Sequence, residues 1–116
     1  FGLPLLEAAV AGLPIVATGW SAHTEFLSGP SFLKVAYDLQ EIPPSRIDGN
    51  IFVKGAMWAQ PRGGNFCRKL KQSVTEHSGM REHAAALSEK LMSTHSIQAL
   101  DKKFKDIVRE YLDDLR

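Results

Sequence analysis

The sequence predicts an α/β fold, and three observations carry that prediction. Residues 1 to 18 run in the order loop, helix start, tight turn, strand. A later run, Phe32 to Leu39, has the β-branched and aromatic character of a strand. Residues 62 to 116 then hold three segments with apolar side chains at helical spacing.

Phe1 to Thr18 reads FGLPLLEAAVAGLPIVAT, with Glu7 as its one carboxylate. Pro4 suits the first turn of a helix, where a missing N–H costs nothing and φ is already set. Leu5 to Ala11 is apolar nearly all round, which predicts a buried helix. Gly12 suits the left-handed position after that helix, and Pro14 prevents its continuation. Ile15 to Thr18 follows as a buried strand. Gly2 lets backbone approach a ligand closely, and the N–H groups of Gly2 and Leu3, with the helix dipole, favour an anion. Glu7 lies about one turn further on. A buried carboxylate needs hydrogen-bonding partners, and a ribose diol would supply charge-assisted bonds of about 1.5–3 kcal/mol each. The simpler role for Glu7 is to complement the helix N-terminus, at about 0.3–1 kcal/mol.

Composition sets the outer limits. A chain of 116 residues suffices for one small domain with a core. Lys plus Arg number 14 against 13 for Asp plus Glu, so net charge makes no case for a nucleic-acid partner. No apolar run approaches the roughly 20 residues that span a bilayer. Cys67 is the single cysteine, excluding an internal disulfide and fitting a reducing cytosol. Only Arg68 and Lys69 stand near it, so a packing role on a helix is expected.

The motif Phe1-Gly2-Leu3-Pro4, Glu7-Ala8, Ala11-Gly12-Leu13-Pro14-Ile15-Val16-Ala17-Thr18 resembles the signature of retaining GT-B glycosyltransferases of the group 1 type. Their pattern is Glu-Gly-Phe-Gly-Leu-Pro, then Glu-Ala, then Ala-x-Gly-x-Pro-Val-Val-Ala-Thr. The resemblance implies a partial Rossmann-like C-terminal domain, three-layer α/β/α with C-terminal helices. Residues 1–61 would form the donor-binding α/β region and 62–116 a helical segment of the same domain. It implies donor contacts at Phe1, Gly2, Leu3, Pro4 and Glu7, with Glu7 on the nucleotide ribose. A further glutamate of the family, near the donor sugar, would fall two residues before Phe1. The chain is therefore expected to be a piece of a longer protein.

Beyond the motif, the family often carries a Gly-Gly pair and then a Glu heading a short helix. Ser21 and Ala22 stand at the Gly-Gly positions and Glu25 at the Glu. Ser21 can instead N-cap a short helix toward Leu27. His23 is read as a surface or capping residue, with contact to donor or acceptor as the functional alternative. Trp20 is read as packing or cleft lining. Ser28-Gly29-Pro30 is a turn. Asp38 to Asn50, with Pro43-Pro44 and Asp48-Gly49, reads as an irregular excursion, and Ile51 to Val53 as a short edge strand.

Met57-Trp58-Ala59-Gln60-Pro61 resembles the Trp-Ala-x-Pro that leads into a late helix in the same family, with Arg62 where an acidic residue is usual. Asn65 is expected to cap a first helix bearing Phe66, Leu70 and Val74 and ending near Gly79. Met80 to Met92 is expected as a second helix with Ala84, Leu87 and Leu91 inward. Ser96 is expected to cap a third, whose stripe runs through Ile97, Leu100, Phe104, Ile107, Val108, Tyr111 and Leu115. Such a stripe is expected to be core; in the resembling fold a late helix packs back toward the N-terminal domain, so part of the stripe is expected to lie exposed in an isolated segment. Arg62, Arg68, Lys69 and Lys71 form a basic cluster, read as a solvated face. His77, His83 and His95 lack company at metal-ligand spacing.

The function implied by the resemblance is transfer of a sugar from a nucleotide-diphosphate donor to an acceptor hydroxyl, with retention of configuration. The acceptor is a saccharide, a lipid-linked group or a protein. No catalytic residue and no metal are assigned within the chain, and no cofactor besides the donor itself. The missing N-terminal domain is a required partner, so the segment alone should be inactive. The setting is cytoplasmic or peripheral to a membrane. The alternative is a non-catalytic nucleotide-binding or assembly domain of the same fold. A dinucleotide oxidoreductase is disfavoured, because no G-x-G-x-x-G follows a strand.

Overall fold

A computed structural model describes residues 2 to 114. It is a mixed α/β structure, with helices α1 (Leu3–Val10), α2 (Gly63–Thr75), α3 (His77–Thr94) and α4 (Ile97–Asp114). Strands β1 (Ile15–Thr18) and β2 (Phe32–Val35) pair in parallel, and β3 (Tyr37–Glu41) and β4 (Met57–Pro61) pair antiparallel. Two 3-10 turns, Ala22–Glu25 and Pro44–Arg46, lie in the connections.

The first helix starts at Leu3, earlier than the composition suggests, with Gly2 as a left-handed N-cap (φ 82°, ψ 46°). Its other end closes as the sequence predicts. Gly12 takes φ 71°, its N–H donates to Ala9 O at 3.0 Å, and Leu13 N–H donates to Ala8 O at 3.0 Å. That pair of bonds satisfies the last carbonyls of the helix and turns the chain into β1. The expected burial all round is not found: Ala9 is the buried residue of α1, and Leu3 is 59% exposed. The helix rests on one side only.

Strand alternation divides β1 and β2 between two faces. Ile15, Ala17 and Phe32 face a cluster with Ala9 of α1 and Leu87 and Leu91 of α3. Val16 faces Ser73 and Val74 of α2, and Thr18 and Val35 face Phe66. Helices thus cover both faces of this sheet. Phe26 and Leu27, just past the Ala22–Glu25 turn, complete the core. The hydroxyl of Ser88 donates to Val10 O and ties the C-terminal end of α1 to α3.

Several expectations are corrected. The run Phe32 to Leu39 is not one strand. It breaks at Ala36, whose N–H donates to Asn65 Oδ1 at 2.8 Å and whose carbonyl accepts from Arg62 N–H at 2.8 Å. Asn65 therefore serves this bend rather than capping α2, which begins at Gly63 with Arg62 at the N-cap. Ile51 to Val53 is not a strand; the partner of β3 is β4, with Tyr37 opposite Pro61 and Glu41 opposite Met57. Asp48 explains the difference. Its Oδ1 accepts from the N–H groups of Asn50, Ile51 and Phe52, each at 2.9 Å, which withdraws those amides from any ladder. The break between α2 and α3 falls at Glu76, and the helix passes straight through Gly79. Cys67 lies on α2 as expected but is exposed, so it does not pack. Ser96 caps α4 as predicted, accepting from Ala99 N–H at 3.2 Å.

The fourth helix projects from the body. Every residue from Asp101 to Asp114 is exposed. The radius of gyration is 18.1 Å, against about 13 Å for a compact chain of this length.

Candidate functional site

The C-terminal end of β1 gathers the residues singled out in the sequence. Gly2 arrives from α1, and the 3-10 turn Ala22–Glu25 arrives from the crossover to β2. A Cβ placed on Gly2 would lie 3.4 Å from the Cβ of His23, so the two loops approach closely enough that a side chain at Gly2 would touch His23. His23 Nε2 lies 2.7 Å from Thr18 O, a hydrogen bond that ties the turn to the last residue of β1. The same ring meets Phe32 edge-on at 6.1 Å. His23 is thus half-buried and bridging, not a surface residue.

The amides of α1 divide into used and free. Leu5 N–H and Leu6 N–H both donate to Gly2 O, at 3.0 and 3.2 Å. Pro4 has no N–H. The N–H groups of Gly2 and Leu3 donate to no described residue, and with the dipole of α1 they form a small anion-attracting end.

Ser21 has the one positive φ among described non-glycine residues, φ 88° and ψ −178°. That region is essentially reserved for glycine and costs of order 1–3 kcal/mol for other residues. Its side chain makes no capping bond, contrary to expectation, although its carbonyl accepts from Thr24 Oγ1 at 2.8 Å. Glu25 is exposed at the end of the turn. Trp20 is 37% exposed and leans on Tyr37, the ring centres 6.3 Å apart.

Only β2 pairs with β1 among the described strands, and two recesses lie beside β1. One, of about 410 Å³, is lined by Leu5, Val16, Ala17 and Thr18 with His23, Val35, Pro61 and Phe66. The other, of about 580 Å³, lies against Leu13, Pro14, Val74 and His77. Both are mainly apolar, and neither presents a carboxylate.

Glu7 stands apart from this arrangement. At 100° per residue it lies about 200° around α1 from Leu5, on the face shared by exposed Leu3, Pro4 and Ala11. It is solvent-exposed, so the expectation of a buried carboxylate in need of partners is corrected. Exposure leaves it accessible to a ligand running along α1. Phe1 lies outside the described residues. The structure therefore brings together Gly2, Leu3 and His23, and leaves Glu7 on the outer side of the same helix.

The basic cluster is partly spent within the fold. Arg62 makes a two-point contact with Asp38, with Nε 2.9 Å from Oδ2. That guanidinium holds the Asp38 carboxyl below its ordinary value. Lys69 donates to Gln72 Oε1 at 3.3 Å. Among the described residues no group of three or more His, Cys, Asp or Glu side chains is arranged to hold a metal ion, and no helix is long and apolar enough to cross a membrane.

Compared with known proteins, the chain matches no family model, no curated protein and no solved structure.

Proposed function

We propose that the chain carries part of the donor site of a retaining GT-B glycosyltransferase, in a Rossmann-like domain whose later helices are α2 to α4. The intact enzyme transfers a sugar from a nucleotide-diphosphate donor to an acceptor hydroxyl. One observation carries the reading: the close approach of Gly2 and His23 at the C-terminal end of a parallel strand. Open α/β sheets bind ligands outside the carboxyl ends of their strands, and one of the two loops that meet here is the one the motif resemblance assigns to the donor. The glycine-like backbone of Ser21 adds support, because it stands where the resembling enzymes carry Gly-Gly.

Each residue then has a defined task. The free N–H groups of Gly2 and Leu3 donate to phosphate or sugar oxygens, preorganised toward a leaving group that gains negative charge. Glu7, open to solvent on the outer face of α1, accepts the ribose hydroxyls and is not a nucleophile. The upstream glutamate, the basic pair for the diphosphate and the acceptor-binding domain are assigned to the remainder of the intact protein.

The test is calorimetry of the complete protein against UDP-, GDP- and ADP-sugars, with Glu7→Ala alongside. Selective binding that weakens about tenfold or more in Glu7→Ala, the loss of one or two charge-assisted bonds, supports the reading. Binding untouched by that change removes Glu7 from the site. A folded protein that binds none of the three sinks the proposal.

A further inference from the structure

His23 gives one ring nitrogen to the fold and keeps the other. A carbonyl oxygen only accepts hydrogen bonds, so the 2.7 Å contact with Thr18 O places the proton on Nε2. That bond sets the tautomer: in the neutral ring Nδ1 retains its lone pair and can only accept. Among the described residues no donor reaches Nδ1. The bond to Thr18 is the ring's one hydrogen bond, and its aromatic neighbour is Phe32, met edge-on. Those two contacts also hold the ring in one place, so the acceptor is preorganised.

The groups beside it are donors. Gly2 comes close enough that a Cβ there would lie 3.4 Å from the His23 Cβ. The N–H groups of Gly2 and Leu3 donate to no described residue. A phosphate oxygen suits those amides but meets the Nδ1 lone pair with lone pairs of its own. A hydroxyl suits both, because its oxygen accepts while its hydrogen is given to Nδ1. Glu7, the residue assigned to the ribose, stands exposed on the outer side of α1, whereas His23 shares a recess with Leu5 and Thr18. The group that meets His23 is therefore not the ribose.

We propose that His23 Nδ1 accepts a hydrogen bond from a hydroxyl of the transferred sugar. His23 then selects the sugar, while the amides of α1 hold the diphosphate and Glu7 the ribose. This inference rests on the donor-site reading and adds to it a residue the motif does not contain.

The experiment is calorimetry of the complete protein with UDP-glucose, GDP-mannose and ADP-glucose, each compared with UDP, GDP or ADP alone. Two variants separate the two ring nitrogens. His23→Gln keeps an N–H donor for Thr18 O where Nε2 stands and has no acceptor where Nδ1 stands; His23→Asn does the reverse. The ratio of sugar-nucleotide affinity to diphosphate affinity should fall about tenfold in His23→Gln, roughly the worth of one hydrogen bond, and stay within about threefold of native in His23→Asn. Should His23→Gln fail to fold, nitrogen-15 resonances of the native imidazole decide. Nδ1 should be the unprotonated nitrogen, and its resonance should move on adding the sugar nucleotide but not the diphosphate. A proton on Nδ1, or a resonance that does not distinguish the two ligands, overturns the proposal. An equal fall of the ratio in both variants also overturns it, because the ring is then structural. An unchanged ratio in folded His23→Gln overturns it while leaving the donor-site reading in place. A folded complete protein that binds none of the six ligands sinks both.

Discussion

His23 and Thr18 are joined across the end of β1: the imidazole Nε2 sits 2.7 Å from the Thr18 carbonyl oxygen. The bond fixes the Ala22–Glu25 turn against the last residue of β1. Replacing His23 by Ala removes it and opens a gap beside Gly2. The expected cost is about 1–2 kcal/mol, the net value of one hydrogen bond plus a half-buried carbonyl left without it. Urea denaturation monitored by circular dichroism measures this directly, and an unchanged midpoint would show that the turn stands without the bond.

Ser21 predicts the opposite sign. Its φ of 88° with ψ −178° suits glycine and strains any residue with a Cβ. Ser21→Gly relieves that strain but adds about 0.5–1 kcal/mol of unfolded-state entropy. A net stabilisation of about 1 kcal/mol is expected. The Thr24 hydroxyl bond survives, since it is made to the Ser21 carbonyl. A lower thermal midpoint for the glycine variant would refute the strain.

At Gly2 the same logic runs in reverse. A methyl group there meets φ +82° and the Cβ of His23 at 3.4 Å. Gly2→Ala should destabilise by about 1–2 kcal/mol, the cost of the left-handed conformation. In the complete protein it should also weaken donor affinity more than it weakens the fold, read by calorimetry at a temperature where the variant remains folded.

Acid should loosen the loop between β3 and β4. Three backbone N–H groups, those of Phe52, Asn50 and Ile51, hold the Asp48 carboxyl below its ordinary value of 3.8. A carboxyl depressed in the folded state contributes stability above its unfolded pKa, and that contribution disappears as pH falls through the folded pKa. Loop amides should therefore keep their hydrogen-exchange protection down to pH values near 3.8 and lose it below. Asp48→Asn should remove this pH dependence, as followed by nuclear magnetic resonance of the same amides.

Leu91 is 2% exposed at the centre of the cluster that joins α1, β1 and α3. Leu91→Ala should cost about 2–4 kcal/mol through lost burial and a residual cavity. Met92→Ala, one residue along and 60% exposed, should shift the midpoint little.

Features settled within a few residues were legible in the sequence. The Gly12 cap, the Ser96 cap and strand β1 all depend on local rules and read correctly; the apolar stripe falls on α4 as expected, but its members from Ile97 to Tyr111 are all exposed, and Leu115 lies outside the described residues. Features that depend on distant partners were not legible. Nothing near Ala36 announces that Asn65, 29 positions away, will draw its amide out of the strand. Ile51 to Val53 has β-forming side chains, yet the Asp48 carboxylate takes its amides first. The helix break at Glu76 lets α3 turn Met80, Ala84, Leu87 and Leu91 into the core while α2 covers the opposite face of the sheet. The candidate site divides in the same way. Pro4 in the first turn was legible from helix-start rules, whereas the start at Leu3, the inward place of His23 and the outward place of Glu7 required the fold.

The hydrogen bond from Ser88 to Val10 spans 78 positions, and the cluster around Leu91 reaches back equally far to Ala9 and Ile15. On the ribosome, α1 and β1 are therefore made before the α3 residues that anchor them. Until α3 emerges, Leu5, Leu6, Ala9 and Val10 lack the cover of Leu87 and Leu91. Synthesis that stops short of residue 91 would leave the N-terminal motif translated in full but without the side chains that hold it in place.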